Sequence, residues 1–423
     1  MKSKLLTAAV IWIFASCDKS TAQVPIGKSI DSMLLNYPFI RTDLNRLVND
    51  SIALVSFYEK LWELKTGKRD RVTIVHIGDS HIQADHLSGV VRQNLQLEFG
   101  NAGRGTVFPY RAAKSNEPTS YRSVASNGNW TGKRNLAIND SIPTGISGFT
   151  IATTDTNASV LLTVKDQGSL DYGFTRFTLF HSKGTGSYDI AVCDELNCRL
   201  GYFDAMKGDP MISVLEFQSP AHTVFLDCTP HDTSGKRLDI YGMLLENNQP
   251  GILYNSIGVN GAMYYHYNNS AYFLSQLAML KPDLIIVSLG TNEAYVSRFN
   301  NDVFRTNMDS LISGLQNAMP DAQLLLTTPG DSFRRSRKGY LKNPNMQVAR
   351  NTIISYGTEH NLACWDLYGV MGGYGSMSKW YVAGLGAKDR LHFSQTGYEL
   401  QGALFYEAMM GSYEKYIIAN HGK

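Results

Sequence analysis

Apolar and polar positions divide this chain into three stretches. Residues 72–77 form a short β-branched run, as expected of a parallel strand buried on both faces. Asp85 then opens a segment with Leu87, Val90, Val91, Asn94 and Leu95 at helical spacing. Gly78-Asp79-Ser80 therefore falls at a strand-to-helix turn, where a hydroxyl stands clear of the sheet and backbone N–H groups face incoming negative charge. Upstream, residues 23–70 read as helical. Asp50 and Ser51 can cap a helix whose apolar positions include Ile52, Val55, Leu61, Trp62 and Leu64. Residues 65–71 form a polar connector.

Helical periodicity then disappears between about 104 and 248. Short β-rich runs at 149–153, 160–164, 174–180, 188–192, 211–217 and 223–227 alternate with Gly, Asn, Asp, Ser and Pro clusters. That spacing predicts an antiparallel sandwich or jelly roll. From Gly251 the pattern changes again. Strands are expected at 252–257, 284–289, 324–327 and 362–366, with helices near 269–280, 302–318 and 344–360 and a last one from Ser394. Repeated β-α units imply a parallel sheet flanked by helices. The expected class is α/β, with an all-β sandwich inserted after the first strand. The expected units are 23–103, 104–248 and 249–423.

The first 22 residues read as an export signal. Lys2 and Lys4 precede an apolar run at 5–15, which is too short to span a bilayer. Two processing readings stay open. Phe14-Ala15-Ser16-Cys17 resembles a lipobox, which would make Cys17 a lipidated N-terminus, and the alternative is cleavage after Ala22. Either places the protein beyond the inner membrane, in the periplasm or anchored as an outer-membrane lipoprotein. In that oxidising setting Cys193 and Cys198 can form a disulfide or remain two thiols. Cys228 and Cys364 lie in apolar runs and read as core.

A length of 423 residues suffices for a large core, and 43% apolar with 18% charged residues is ordinary for a folded chain. The net charge of +2 excludes a bulk electrostatic grip on nucleic acid or anionic membrane. No Cys/His spacing suggests zinc. His76, His81 and His86 flank Ser80 without a converging carboxylate set, so neither metal nor cofactor is expected. The oligomeric state is left open.

Four separate points fall at the exits of the expected strands. They are Ser80, Gly261 in Val259-Asn260-Gly261, Asn292 in Gly290-Thr291-Asn292, and Asp389 with His392 in Asp-Arg-Leu-His. A serine hydroxyl near pH 7 needs a base, and His392 can serve. Asp389 can accept from the other imidazole nitrogen and fix the tautomer. The backbone N–H groups of Ser80 and Gly261, with the Asn292 amide, can hold the oxyanion of an acyl-transfer intermediate.

The order and form of these motifs resemble the SGNH (GDSL-type) hydrolases. Gly78-Asp79-Ser80 is similar to their first block, Gly261 to the second, Gly290-Thr291-Asn292 to the third and Asp389-x-x-His392 to the fifth. The resemblance covers roughly 70–100 and 250–415 and implies a flavodoxin-like sheet and a serine esterase. One departure is visible, Glu293 where many members carry Asp. The stretch from His76 to Gly105 also resembles the Gly-Asp-Ser-His opening of periplasmic peptidoglycan O-acetylesterases. Those carry a β-sandwich, similar to a carbohydrate-binding module, inserted at this place. The resemblance implies removal of O-acetyl groups from a cell-wall glycan, at the muramic acid C6 hydroxyl, through an acyl-enzyme. Alternatives are an acetyl esterase on other polysaccharides, a lipid esterase, or a non-catalytic glycan binder with a vestigial esterase fold.

Glycan recognition calls for exposed aromatic rings. Tyr264 and Trp380, near the second and fifth blocks, are the candidate substrate-binding residues, with Tyr265, Tyr267, Tyr381 and Trp130 as further rings. Arg334, Arg335, Arg337, Lys338 and Lys342 form a basic stretch, read as a solvated mobile loop or a contact for stem-peptide carboxylates.

Overall fold

The computed structural model describes residues 26–27, 29–137, 141–194, 199–234, 236–337 and 339–422. The 1–22 segment with Cys17, Cys198 of the expected bridge, and Lys338 lie outside the described residues. Cys193 is buried at the end of the strand Tyr188–Cys193. Cys228 and Cys364 are fully buried.

The central sheet has six strands, in the order Leu47–Val48, Ala363–Trp365, Gln323–Thr327, Leu284–Ser288, Arg71–Gly78, Gly251–Gly258. Five run parallel, and Leu47–Val48 pairs antiparallel with Ala363–Trp365 to form one edge. The sheet is therefore mixed, and residues 23–70 contribute a strand as well as helices. The helix expected from Asp50 is broken at Leu54 into Asp50–Ala53 and Val55–Lys65, and neither Asp50 nor Ser51 caps it. Ile52 (71% exposed) and Val55 (41%) face solvent, because Leu54, Phe57, Tyr58, Leu61 and Leu64 form the buried stripe.

Strand Arg71–Gly78 shows why continuous apolar runs fit a central position. Side chains alternate across a sheet. Val72 and Ile74 join the cluster under the helices His86–Phe99, Val55–Lys65 and Gln395–His421. Val75 and Ile77 join the opposite one, under Asn301–Ala318 and Asn345–Glu359. Both faces are covered, so both sets must be apolar.

This strand is also where the sheet's order reverses. The chain lays Gly251–Gly258 on one side of it and Leu284–Ser288 on the other. Gly78 stands in register with Gly258 and with Ser288. Ser80, Gly261 and Asn292 therefore lie two, three and four residues beyond one line across the sheet. A crevice outside the carboxyl ends of strands at such a switch point is where ligands bind in open α/β sheets.

Between these halves lie two antiparallel sheets. One orders Arg199–Phe203, Tyr188–Cys193, Thr223–Pro230, Ala158–Val164 and Tyr121–Asn127. The other orders Ile212–Ala221, Phe174–His181, Leu238–Glu246, Phe149–Thr153 and Thr131–Arg134, with Gly105–Val107 pairing Leu238–Glu246. Their inward residues, among them Val160, Leu162, Phe177, Leu179, Ile190 and Leu226, make one core, so the region is a two-sheet sandwich. That core continues without a break to Val75 and Ile77 of the central sheet. The inserted region is packed onto the α/β part, not tethered to it.

An ion cluster pins this junction. Asp85 accepts from Arg92 at 3.0 and 2.8 Å and from Arg104 at 2.7 Å, all three buried. Burial opposes its charge, but the two guanidinium groups hold its carboxyl well below the ordinary range. Asp85 was expected to open the following helix. It does stand at the N-cap, but its side chain serves the arginines and makes no cap bond.

Candidate active site

The turn after Gly78 is built by Asp79. Its Oδ1 accepts from the His81 N–H at 2.9 Å, capping the short helix Ser80–Gln83. Gly258 is required by close approach, since a Cβ there would stand 2.2 Å from the Gln83 nitrogen. The helix that starts with Ser80 is thus pressed against the neighbouring strand. The Tyr267 hydroxyl donates to the Gly78 carbonyl at 2.7 Å and fixes the strand end from above.

Ser80 Oγ lies 2.9 Å from His392 Nε2, across 312 residues of sequence. His392 Nδ1 lies 2.7 Å from Asp389 Oδ2. The second carboxylate oxygen of Asp389 accepts from the Leu391 and His392 N–H groups at 3.0 and 2.9 Å. Partial burial would raise the Asp389 pKa, but the His392 ring and these N–H donors outweigh it and hold the group low. An ionised Asp389 makes Nδ1 the protonated nitrogen of a neutral ring. Nε2 is then the acceptor facing the Ser80 hydroxyl.

Gly261 has φ +85, a left-handed conformation that favours glycine. No described residue accepts from its N–H or from that of Ser80. Asn292 Nδ2 donates to the Ala262 carbonyl at 2.8 Å and to Asp79 Oδ2 at 3.1 Å. Both amide hydrogens are engaged, so a third acceptor must share or displace one, and the longer contact to Asp79 is the weaker.

Under these groups sit two buried carboxyls. Burial raises Asp79 to about 7, against hydrogen bonds that favour its charge. Burial, with the field of Asp79 adding to it, raises Glu293 to about 7. Glu293 Oε1 accepts from the Tyr264 N–H at 2.8 Å. The glutamate that departs from the family pattern therefore ties the third-block helix to the chain just after Gly261.

Two aromatic assignments are corrected. Tyr264 and Trp380 are both 0% exposed and cannot stack on a sugar. Tyr264 packs edge-on against Phe304, and Trp380 packs against Phe393 while its Nε1 donates to the Met371 carbonyl. Large rings beside a motif fill the core behind it. Tyr267 and Trp130 are also buried, whereas Tyr265 and Tyr381 are exposed.

The basic stretch is not a loose loop but a hairpin, Phe333–Ser336 paired with Gly339–Lys342. It docks on the Asp389–His392 turn. The Phe333 N–H donates to the Arg390 carbonyl at 2.8 Å. The Arg390 guanidinium lies 5.6, 4.9 and 5.0 Å from the rings of Phe333, Tyr340 and Tyr381. Sequence reasoning missed this clamp, because the hairpin that supplies Phe333 and Tyr340 lies some fifty residues before Arg390.

Two of the flanking histidines make hydrogen bonds to hydroxyl groups. His76 is buried, with Nδ1 2.7 Å from the Tyr254 hydroxyl and Nε2 2.7 Å from Ser288 Oγ. His81 Nδ1 lies 2.9 Å from the Tyr398 hydroxyl, and its ring centroid is 5.2 Å from that of His392. Burial, with His392 adding to it, lowers His81 to about 3, so it stays neutral. Among the described residues two Asp-Asp-His groups converge, Asp166-Asp171-His222 and Asp189-Asp204-His231, both in the inserted region. Their carboxylates already accept from nearby N–H groups and side chains.

The fold is that of the SGNH hydrolases with an additional β-rich region, and residues 228–400 match the model of the GDSL-like Lipase/Acylhydrolase family. That match covers less than half of the chain and begins within the inserted region, so the Gly78-Asp79-Ser80 block lies ahead of it. Over nearly its whole length the structure is similar to a peptidoglycan O-acetylesterase, with a TM-score of 0.71, 22% identity, and coverage of 87% of this chain and 99% of that one. A lipase/acylhydrolase from Enterococcus faecalis is similar at 24% identity over 38% of this chain and 77% of its own, with a TM-score of 0.30. The acetyl xylan esterase AlAXEase is similar at 17% identity over 37% and 81%, with a TM-score of 0.32. No curated protein sequence matches.

Proposed function

We propose that this protein is a serine esterase that removes O-acetyl groups from peptidoglycan, at the muramic acid C6 position, through an acyl-enzyme on Ser80. The observation that carries the reading is the relay Ser80 Oγ to His392 Nε2 at 2.9 Å and His392 Nδ1 to Asp389 at 2.7 Å. The GDSL-like family match and the likeness to a peptidoglycan O-acetylesterase support it.

In this reading His392 takes the hydroxyl proton as Ser80 Oγ attacks the acetyl carbonyl. Asp389 stabilises the imidazolium that results. The carbonyl oxygen becomes an oxyanion and accepts from the Ser80 and Gly261 N–H groups and from Asn292. The released Asp79 contact lets the amide turn to it. The sugar hydroxyl leaves with the proton from His392. Water then attacks the acetyl-serine by the same route, with His392 again as base. Residues 1–22, read as an export signal, would deliver the protein to the compartment where this substrate lies.

The test compares acetate release from O-acetylated peptidoglycan, acetylated xylan and a long-chain ester, with Ser80→Ala as control. The expected result is fastest release from peptidoglycan and none from the variant. Preference for xylan moves the assignment to another polysaccharide, and preference for the long-chain ester moves it to lipid. Glycan binding with no release from any ester favours a vestigial fold.

A further inference from the structure

Gln83 lies three residues past Ser80 and is 2% exposed. Its side-chain amide joins three segments. Oε1 accepts from the Asn260 N–H at 2.7 Å. Nε2 donates to Ser115 Oγ and to the Asn116 carbonyl, each at 2.9 Å. One side chain therefore holds together the helix with Ser80, the loop with Gly261 and a loop of the inserted region.

Beside this tie is an open cleft of about 530 Å³, within the range of small-molecule sites. Lys114 and Asn116 line it from one inserted loop, Arg134 and Leu136 from the end of the strand Thr131–Arg134 and the turn after it, and Asn260 from the α/β part. Leu136 reaches Gly261 itself, where a Cβ would stand 3.0 Å from its Cδ2. Arg134 is exposed, with Nη1 donating to the Asn260 carbonyl at 3.4 Å. Among the described residues no carboxylate forms an ion pair with Lys114 or Arg134. The two cations thus face an open, polar space that ends at the residue after Asn260.

We propose that this cleft is a substrate subsite supplied by the inserted region, which takes a carboxylate-bearing sugar beside the acetyl ester. The proposal rests on the esterase reading above and names the side of the site on which the glycan lies. The carboxylate is the ligand group because the guanidinium fork of Arg134 matches it and Lys114 adds a second charge. A cleft lined by one sign of charge concentrates ions of the other. The inserted sandwich is then one wall of the active site.

The test uses the full chain carrying Ser80→Ala, so that binding is read without turnover. Calorimetry compares a muropeptide, which carries carboxylates, with a neutral chitooligosaccharide of equal ring count. The muropeptide should bind more tightly, and its advantage should shrink as salt rises. Lys114→Glu with Arg134→Glu should weaken muropeptide binding at least ~10-fold and neutral-sugar binding less than about twofold. Arg134→Gln alone, a gentler change in case the pair disturbs folding, should cost roughly threefold. Equal affinity for the two ligands, or an advantage that survives these substitutions, overturns the subsite. Absence of acetate release by the unsubstituted chain on every ester would sink the esterase reading alone, since the binding comparison does not need turnover.

Discussion

The two sides of the candidate site are held by different means. Ser80, Gly261 and Asn292 follow three adjacent strands in register, and what lies beneath them is buried: Asp79, Gln83, Glu293 and Tyr264. Tight backbone contact at Gly258 and side-chain bonds from Gln83 and Glu293 leave that side one arrangement. His392 and Asp389 instead hang on a partly exposed turn before the last helix. Local bonds hold that turn, with Ala387 N–H donating to the His392 carbonyl and Asp389 accepting from its own neighbours. Its long-range support is the Arg390 clamp and the His81 ring. Ser80, Gly261 and Asn292 are positioned by the sheet, whereas His392 and Asp389 lean on a clamp of side chains.

The largest expected effects come from removing either half of the relay. Ser80→Ala and His392→Ala should each lower kcat by about 10⁴ to 10⁶, with kcat measured by acetate release. Thermal midpoints should stay near that of the parent, since neither side chain is part of the core. If His392→Ala kept most of the activity, the two sides would not be one site. Asn292→Ala should come next, at about 10² to 10³ in kcat, the usual worth of one oxyanion donor. It tests whether an amide engaged by Asp79 and Ala262 is free to serve. A loss below about tenfold would assign Asn292 to holding the loop.

The same contrast explains what was legible in the sequence. Strands buried on both faces, such as Arg71–Gly78 and Leu284–Ser288, leave continuous apolar runs, and these were read close to their observed bounds. Six of the sandwich strands were found from β-rich runs set between turn clusters, even where, as in Ile212–Ala221, most side chains are not buried. Tyr121–Asn127 and Thr131–Arg134 were not, because their side chains are largely exposed and their sequence is polar. Leu238–Glu246 is buried throughout and was not among the expected runs, although turn-forming clusters flank it on both sides. The residues brought together at the site sit in short motifs at strand exits, which sequence displays. Gln83 and Arg390 act through tertiary partners and leave no local mark. Glu293 did leave one, its departure from the family pattern, but only the bond to Tyr264 gives it meaning.

A smaller effect is expected at the clamp. Arg390→Ala removes a cation from three rings, each contact worth about 0.5–1 kcal/mol where exposed. Arg390 also adopts φ +53, so alanine keeps the backbone strain while losing the contacts. The hairpin Phe333–Ser336 with Gly339–Lys342 should protect its amides less from hydrogen exchange. kcat should fall about tenfold as His392 samples positions away from Ser80, while the thermal midpoint moves little. Arg390→Lys, which keeps the charge but not the flat guanidinium, should recover only part of the loss. An unchanged kcat with a loosened hairpin would show that local bonds alone place the base.

The smallest effect concerns pH, where the two sides respond with opposite sign. Glu293 is raised to about 7 in the folded chain by burial, from an unfolded value near 4.3. Its contribution to stability is therefore greatest below the unfolded value and is lost as pH rises toward 7, since the folded state then binds the extra proton. Asp389 is held low, so its contribution is present above its unfolded value and is lost as pH falls through the lowered one. Glu293→Gln isolates the buried side. Glutamine keeps the oxygen that accepts from the Tyr264 N–H and places an amide where Oε2 has no partner among the described residues. At pH 4 the variant and the parent should unfold at similar temperatures. By pH 8 the variant should be more stable by about 1 kcal/mol, less than the full shift implies because Asp79 titrates in the same field and shares the proton. A stability difference that is flat between pH 4 and 8 would mean that Glu293 is ionised throughout, and that the buried side tolerates charge as readily as the exposed turn does.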